Sequence, residues 1–522
     1  MNLLMTSRTK ALYWVILVAL AFFAGFIVFN TTAIYGIGLS QDSVVYMAAA
    51  QNIATGEGIK SLDGTPITMW PPLYPSILAF FVWLLSADVL VVARYLNIVL
   101  AVVTVLLTYL LARQLRISPM PALGAAAISA WAYSIVEPRL MAWSEPLFIV
   151  LILLSIISLN RYITHGNVYS LGLFVISAAL AAITRYIGVI IIPVGVLVIL
   201  VFSRSRWHIR LVHALSLLLI TSLPLTLFFI RNWLTSQSLM GARHPPTITL
   251  IQNIEATARV ITGWFMPSSL SDNGFVVLAF VLLFQLIAAA VVLEYRRGQG
   301  TKETVFRLYF PTFFFIVFYV TFLLYSTTTT NLNEIDNRYL IPIFVPLMML
   351  VFGSASIVFE AAKSHFSKSV LSVAFAAVLL LLLSWPLRAT LLSVQYWRNT
   401  GEGFSAAVWD TNETLNYLKS NPSLLTDQVV YSNYPDVIFA HLRHESQFIP
   451  YHYYAGSTQV LRDVDQLKGE WPSGEGLIVW FNWGEWQTHL FRPEELLPIS
   501  QMSKIVTTAD GTIWRVAPLD NP

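Results

Sequence analysis

The sequence predicts a polytopic α-helical membrane protein of about 11 transmembrane helices, with a C-terminal extracytoplasmic α/β domain. Three observations predict it. Only 11% of the residues are charged and 56% are hydrophobic, where an ordinary soluble domain has about 25% charged residues. Apolar runs recur at close to the roughly 20 residues that a helix needs to cross a bilayer, where only a helix satisfies the backbone within one segment. After Leu392 the apolar runs stop, and mixed charge with turn residues begins. The net charge of +3 and the lack of a dense basic cluster argue against nucleic acid as a partner. The absence of cysteine excludes disulfides and thiolate metal sites.

The chain begins with a short basic segment holding Arg8 and Lys10, and Ala11 to Phe29 is apolar. That run is longer than the signal-peptide core of about 7–15 residues, and no small-residue cleavage site follows it. The expectation is an uncleaved first helix with its N-terminus inside. Spans are predicted near 11–30, 88–112, 119–136, 145–162, 168–184, 186–203, 210–230, 275–294, 308–326, 339–359 and 370–392. The apolar piece from Leu73 to Ser86 is set by charge. If it lies on the outer surface, the short basic loops fall inside, with Arg113, Arg116, Arg161, Arg204, Arg206, Arg210 and Lys363 among their cations. The outer loops then hold Asp42, Glu145, Glu334 and Asp336.

The domain boundaries read as 1–392 for the membrane part, with a first outer loop at 31–87, and 393–522 for the soluble part. Within the latter, Asn412 to Ser420 reads as a short helix. Gln428 to Asn433, Gly476 to Phe481 and Gly511 to Val516 read as strands. Trp471, Trp480, Tyr451 and Tyr453 suit sugar stacking, or core and interface packing.

Asp42 is the first carboxylate of the chain and follows its first apolar run. It shares a helical face with Tyr46, four residues on. Its plainest role is a helix N-cap, yet an ionisable group at a membrane edge is a functional candidate by default. Glu145 is the acid of the second outer loop, and Arg139 nearby is its simplest ion-pair partner. Arg185 lies between two apolar runs, Arg231 ends the seventh span, Arg243 follows in a long loop, and Arg338 precedes the tenth span. A carboxylate accepts the proton of an attacking hydroxyl, and arginines hold a leaving phosphate. That pairing suits transfer from a lipid-phosphate donor. Tyr46, Trp70, Tyr74 and Tyr339 are candidate pocket residues. His441, His444, His452 and His489 lack metal-ligand spacing and read as surface residues, so they are assigned no metal site; no cofactor is predicted, and a metal requirement stays open.

The order of motifs carries a resemblance. Asp42-x-x-x-Tyr46 comes first, then Gly56-x-Gly58, Pro71-Pro72-Leu73-x-Pro75 and Ala93-Arg94-x-x-Asn97. Trp143-Ser144-Glu145-Pro146, Thr184-Arg185, Arg231-Asn232 and Arg338-Tyr339-x-x-Pro342 follow. This resembles the GT-C integral-membrane glycosyltransferases, above all the bacterial branch related to protein O-mannosyltransferases and the lipid A aminoarabinose transferase. The resemblance implies inverting transfer of a sugar from a polyprenyl-phosphate donor to a hydroxyl of a glycan, lipid or protein outside a bacterial plasma membrane. It implies Asp42 as base, Glu145 as second-loop acid and Arg338 near the donor phosphate. Two departures stand out: many members carry Asp-Glu where this chain has Asp42-Ser43, and a Lys of the aminoarabinose transferase is replaced by Trp70. The rival expectation is a transporter or flippase of a lipid-linked or anionic solute, which inverted repeats and mid-membrane charges would mark.

Overall fold

The fold, taken from a computed structural model, is described for residues 7–241, 246–267, 273–296, 302–363, 366–453, 460–483 and 489–519. In chain order the first helices are α1 (Ser7–Thr31), α2 (Gln41–Ala54), α3 (Leu73–Leu85), α4 (Val89–Gln114), α5 (Pro119–Trp131) and α6 (Tyr133–Leu140). Next come α7 (Glu145–His165), α8 (Val168–Ala182), α9 (Ile191–Phe202), α10 (Trp207–Ser236), α11 (Leu250–Gly263) and α12 (Asn273–Arg296). The last are α13 (Lys302–Thr329), α14 (Asn337–Leu340), α15 (Phe344–Ala362), α16 (Lys368–Thr400), α17 (Glu413–Ser420) and α18 (Pro435–Leu442).

The chain divides into two compact units. One is Met1–Ala33 with Pro66–Arg398; the other is Ile34–Thr65 with Asn399–Pro522. The sequence boundary at Leu392 falls inside α16, and the predicted first outer loop is split. Its part from Ile34 to Thr65, carrying α2 and Asp42, groups with the C-terminal residues rather than with the membrane bundle. Backbone pairing explains this. Phe404 N donates to Leu39 O at 2.9 Å, Leu39 N donates to Glu402 O at 3.3 Å, and Ser405 Oγ donates to Ile37 O at 2.8 Å.

In the first unit every predicted span coincides with a helix or a broken helix. Among the described residues, 7 helices are long and apolar enough to cross a membrane, or 8 if the bent pair α5–α6 is one span. The chain is therefore a multi-pass membrane protein. α3 has 13 residues and falls short of a span. α7 is apolar on all sides and buried almost throughout, which makes it a central helix of the bundle. α10 instead exposes Leu219, Leu223, Leu227 and Ile230, the surface that lipid requires. Local chemistry sets the ends. Asp88 Oδ1 accepts from Leu90 N at 2.8 Å to start α4, and Gly166, at φ 68°, ends α7. The sequence reading missed α11. A Thr249–Gln252 capping box, with Gln252 Oε1 accepting from Thr249 N at 2.9 Å, marks its start.

The second unit holds a 5-stranded mixed sheet. Its strands are β1 (Val429–Ser432), β2 (Gln447–Phe448), β3 (Gly476–Phe481), β4 (Ser500–Thr508) and β5 (Gly511–Pro518), in spatial order β2-β1-β3-β5-β4. β1 runs parallel to β2 and β3, and β5 antiparallel to β3 and β4. Side chains alternate across it with period two. Leu477, Val479, Phe481 and Ile513 pack with Trp409, Leu415 and Ile438 on one face. Ile478, Trp514 and Val516 pack with Tyr431, Ile449 and Trp471 on the other. Trp471 is thus a core residue. The histidines are not simply surface groups: His489 is 9% exposed and its ring stacks on Tyr451, and His452 stacks on Phe491 at 4.5 Å.

Candidate active site

Within the first unit, three residues picked out from the sequence meet at one point. Glu145 opens α7 and is fully buried, at 0% exposure. Its Oε1 takes an ion pair from Arg185 Nη1 at 2.5 Å and a second from Arg338 Nε. The two arginines are mostly covered, with side chains 16% and 21% exposed. A carboxylate moved into apolar surroundings costs several kcal/mol unless it is paired, so this arrangement requires the cations. Arg139, expected to be the partner of Glu145, is not. It is buried at 2% exposure, and its Nη1 and Nη2 have no hydrogen-bond partner among the described residues. Glu145 is the first residue of α7, whereas Arg139 lies in the last turn of α6.

The surrounding residues hold this triad. Asn97 Nδ2, from α4, donates to Arg139 O at 3.0 Å and to Met141 O at 2.7 Å, fixing the loop into α7. The Arg338 guanidinium lies over the Trp143 ring, 4.3 Å from its centre. Arg185 Nη1 also reaches Ser144 Oγ at 3.3 Å. α14, which carries Arg338, starts at Asp336, whose Oδ1 accepts from Tyr339 N at 3.2 Å. Asn337 Nδ2 donates to Glu137 Oε2 at 2.7 Å and Ser134 O at 2.8 Å, and its Oδ1 accepts from Trp264 Nε1 at 2.9 Å. Tyr319 Oη donates to Tyr339 O at 2.8 Å. Asn97, Asn337 and Tyr319 were not singled out from the sequence. Asn97 lay in a quoted motif, and Asn337 stands beside Arg338.

Arg231 does not join the triad. Its Nη1 donates to Ile67 O at 2.7 Å and to Asn232 Oδ1 at 3.0 Å. With Tyr186 Oη on Thr68 O at 2.5 Å, and Leu73 N on Ile183 O at 3.0 Å, it clamps the loop bearing Trp70. Trp70 is half-buried and Tyr74, in α3, is fully buried. Arg243 lies outside the described residues.

In the second unit, Asp42 is the second residue of α2 and half-buried. It is not the N-cap expected from the sequence. That place belongs to Ser40, whose backbone N donates to Ser43 Oγ at 3.1 Å. Tyr46, one turn on, is buried at 3% exposure. Among the described residues, no three His, Asp or Glu side chains group as a metal site.

Chemically, the triad is one carboxylate against two guanidinium groups. It keeps a net positive charge at the end of a central span, a setting that attracts anions. Glu145 accepts from both arginines and so fixes the two guanidinium groups side by side.

A family model described as dolichyl-phosphate-mannose-protein mannosyltransferase matches residues 75–240, less than half of the chain. No curated protein sequence matches it. Solved structures align far more widely. ArnT from Cupriavidus metallidurans in the apo state superposes with a TM-score of 0.59 at 14% identity, over 97% of this chain and 98% of that one. Its structure bound to undecaprenyl phosphate gives 0.55 at 12% identity, over 96% and 98%. The oligosaccharyltransferase AglB from Archaeoglobus fulgidus gives 0.52 at 13% identity, over 91% of this chain and 70% of that one. The fold is the GT-C fold of membrane glycosyltransferases. The GT-C bundle places the Glu145 triad at the head of its central helix α7.

Proposed function

We propose that this GT-C chain is a membrane glycosyltransferase that moves a sugar from a polyprenyl-phosphate carrier to a hydroxyl of an extracytoplasmic acceptor, with inversion. The observation that carries the reading is the Glu145–Arg185–Arg338 triad, two guanidinium groups fixed by one buried carboxylate. A phosphate diester already carries the negative charge that such a group of residues binds, and its leaving group gains more. The likeness to structures holding undecaprenyl phosphate and dolichol-phosphate supports a lipid-linked donor.

The reaction balances as follows. The acceptor oxygen bonds to the anomeric carbon as the bond from that carbon to the phosphate oxygen breaks. Polyprenyl phosphate leaves with the bonding pair and is steadied by Arg338 and Arg185. The hydroxyl proton passes to Asp42. In this reading the membrane is the bacterial plasma membrane, with the N-terminus cytoplasmic and the C-terminal residues outside. The acceptor is a glycan, a lipid or a protein.

The test is a transfer assay on purified protein in detergent, with a panel of polyprenyl-phosphate sugars and candidate acceptors, following free polyprenyl phosphate. Wild type is expected to release it, and Asp42→Asn to lower the rate by about 10²- to 10⁴-fold, the usual worth of a general base. Normal turnover in a folded Asp42→Asn variant would overturn the assignment of the base. Solute counterflow in proteoliposomes without any covalent product would overturn the reaction class.

A further inference from the structure

The second unit contains a carboxylate that the reading above leaves unused. Asp436 lies in the first turn of α18, behind Pro435, and is buried at 3% exposure. α18 packs against α2, the helix of Asp42. A strap from Gly401 to Ala406 fixes one helix to the other. His441 Nε2, at the far end of α18, donates to Phe404 O at 2.8 Å, and Phe404 N donates to Leu39 O at 2.9 Å, just ahead of α2. Gly403 makes this possible. It sits at φ 61°, and an added Cβ would run into Leu39 O.

Among the described residues, no salt bridge reaches Asp436. The ionisable groups that face it are Asp42 from α2 and Tyr451 from the stretch after β2. Lys419, Asp410 and Arg443 act on His441, at the other end of α18. A buried carboxylate beside another carboxylate and far from cations holds its proton. Burial first, and the Asp42 charge second, push the Asp436 carboxyl up to about 7.

We propose that Asp436 is a positioning residue for Asp42: across the α2–α18 contact, its buried carboxyl holds a proton and presents Asp42 with a neutral neighbour. A neutral Asp436 sets no second charge beside the group assigned above as the base. Once Asp436 ionises, two like charges face each other across α2 and α18, and Asp42 is displaced or its electrostatic setting changes. Neighbouring carboxylates divide their roles in this way when their surroundings differ. The inference rests on the reading of Asp42 as base, and its test separates the two.

The first arm does not use activity. Infrared difference spectra of the full-length protein, taken across pH 5 to 9, follow the carboxylic-acid carbonyl band that Asp436→Asn removes. In wild type the band is expected to fade as pH passes about 7. In Asp42→Asn, with the facing charge gone, the fading moves down by about one pH unit. A band that fades at the same pH in Asp42→Asn, or the absence of any band that Asp436→Asn removes, would overturn the pair. The second arm is the pH profile of transfer. Wild type is expected to show an inflection near pH 7 that Asp436→Asn abolishes and Asp436→Glu restores. An inflection that persists in Asp436→Asn, or a loss of rate with an unaltered profile, would leave Asp436 a structural residue. If Asp42→Asn transfers normally while the infrared shift is seen, the base assignment fails and the pair stands.

Discussion

Glu145 and Asp436 are both buried carboxylates, and their neighbours differ in sign. Glu145 has two guanidinium groups within ion-pair distance. Asp436 has a second carboxylate, Asp42, and no cation in a salt bridge among the described residues. The same burial penalty is therefore met in two ways. In the membrane unit, opposite charge keeps the acid ionised and leaves a positive surplus for an anion. In the second unit, a bound proton neutralises the acid. Under the proposed transfer, the first arrangement would hold the phosphate and the second would lie beside the group that takes the proton.

The largest effect is expected from removing the cations of the first arrangement. Arg185→Met combined with Arg338→Met leaves the Glu145 carboxylate buried and uncompensated. Losing the partner of a buried charge costs about 3–5 kcal/mol. Adding Glu145→Met removes the stranded charge and is expected to restore most of the loss, because apolar residues of similar volume replace buried ion pairs well. Thermal unfolding in detergent, followed by tryptophan fluorescence, compares the double and triple variants. A triple variant as unstable as the double would mean that the triad does not hold α7, α14 and the turn at Arg185 together, and the contrast would lose its first half.

The next effect belongs to the strap of the second unit. Gly403→Ala forces a side chain into a left-handed conformation against Leu39 O. The conformation alone costs about 1–2 kcal/mol, and losing a strap hydrogen bond adds on the order of 1 kcal/mol. Hydrogen exchange is expected to rise at Leu39 and Phe404 while amides of α7 stay protected. Uniform protection across both sites would show that α2 is held by other contacts.

Much of this was legible in advance, and for identifiable reasons. Spans follow from apolar length, so every predicted span met a helix. β3 was read with its observed limits, since Gly476-Leu-Ile-Val-Trp-Phe481 is an apolar run closed by glycine and asparagine. Asp42, Glu145, Arg185 and Arg338 stood out because charges are rare in such a chain. Partnerships were not legible. Arg139 is nearer to Glu145 in sequence than Arg185 or Arg338, yet it is buried on α6 and makes no ion pair with it. The membership of α2 was hidden because backbone pairing between Leu39 and Phe404 leaves no side-chain pattern. Asp436 looked like an ordinary helix-start acid until its burial was known.

The third effect is a pH dependence, and its sign is opposite to that of a salt-bridged acid. Asp436 has its folded-state pKa raised from 3.8 to about 7. The folded protein therefore binds the proton that the unfolded chain releases. The resulting stability is fully present below the unfolded value and is lost as pH rises through about 7. Between pH 6 and 8 the loss is on the order of 1 kcal/mol, and Asp436→Asn is expected to flatten it. Denaturant melts of wild type and variant at those two pH values measure the difference. A wild type that gains stability across the interval would mean that Asp436 is ionised in the folded state, and the two acids would then be alike.

The smallest effect is expected at an acid that the sequence puts in an outer loop, like Glu145, and that the structure leaves exposed. Glu334 pairs with Arg259 at 3.4 Å, with side chains 64% and 46% exposed. Water screens such a pair, and ordering two long side chains offsets most of the attraction. Glu334→Ala is expected to change stability by less than about 0.5 kcal/mol, with that small difference fading as salt is raised. If Glu334→Ala costs as much as stripping the cations from Glu145, burial is not what separates the acids of this chain. The charge surplus assigned to the Glu145 triad would then have to be counted over the Arg259–Glu334 pair as well.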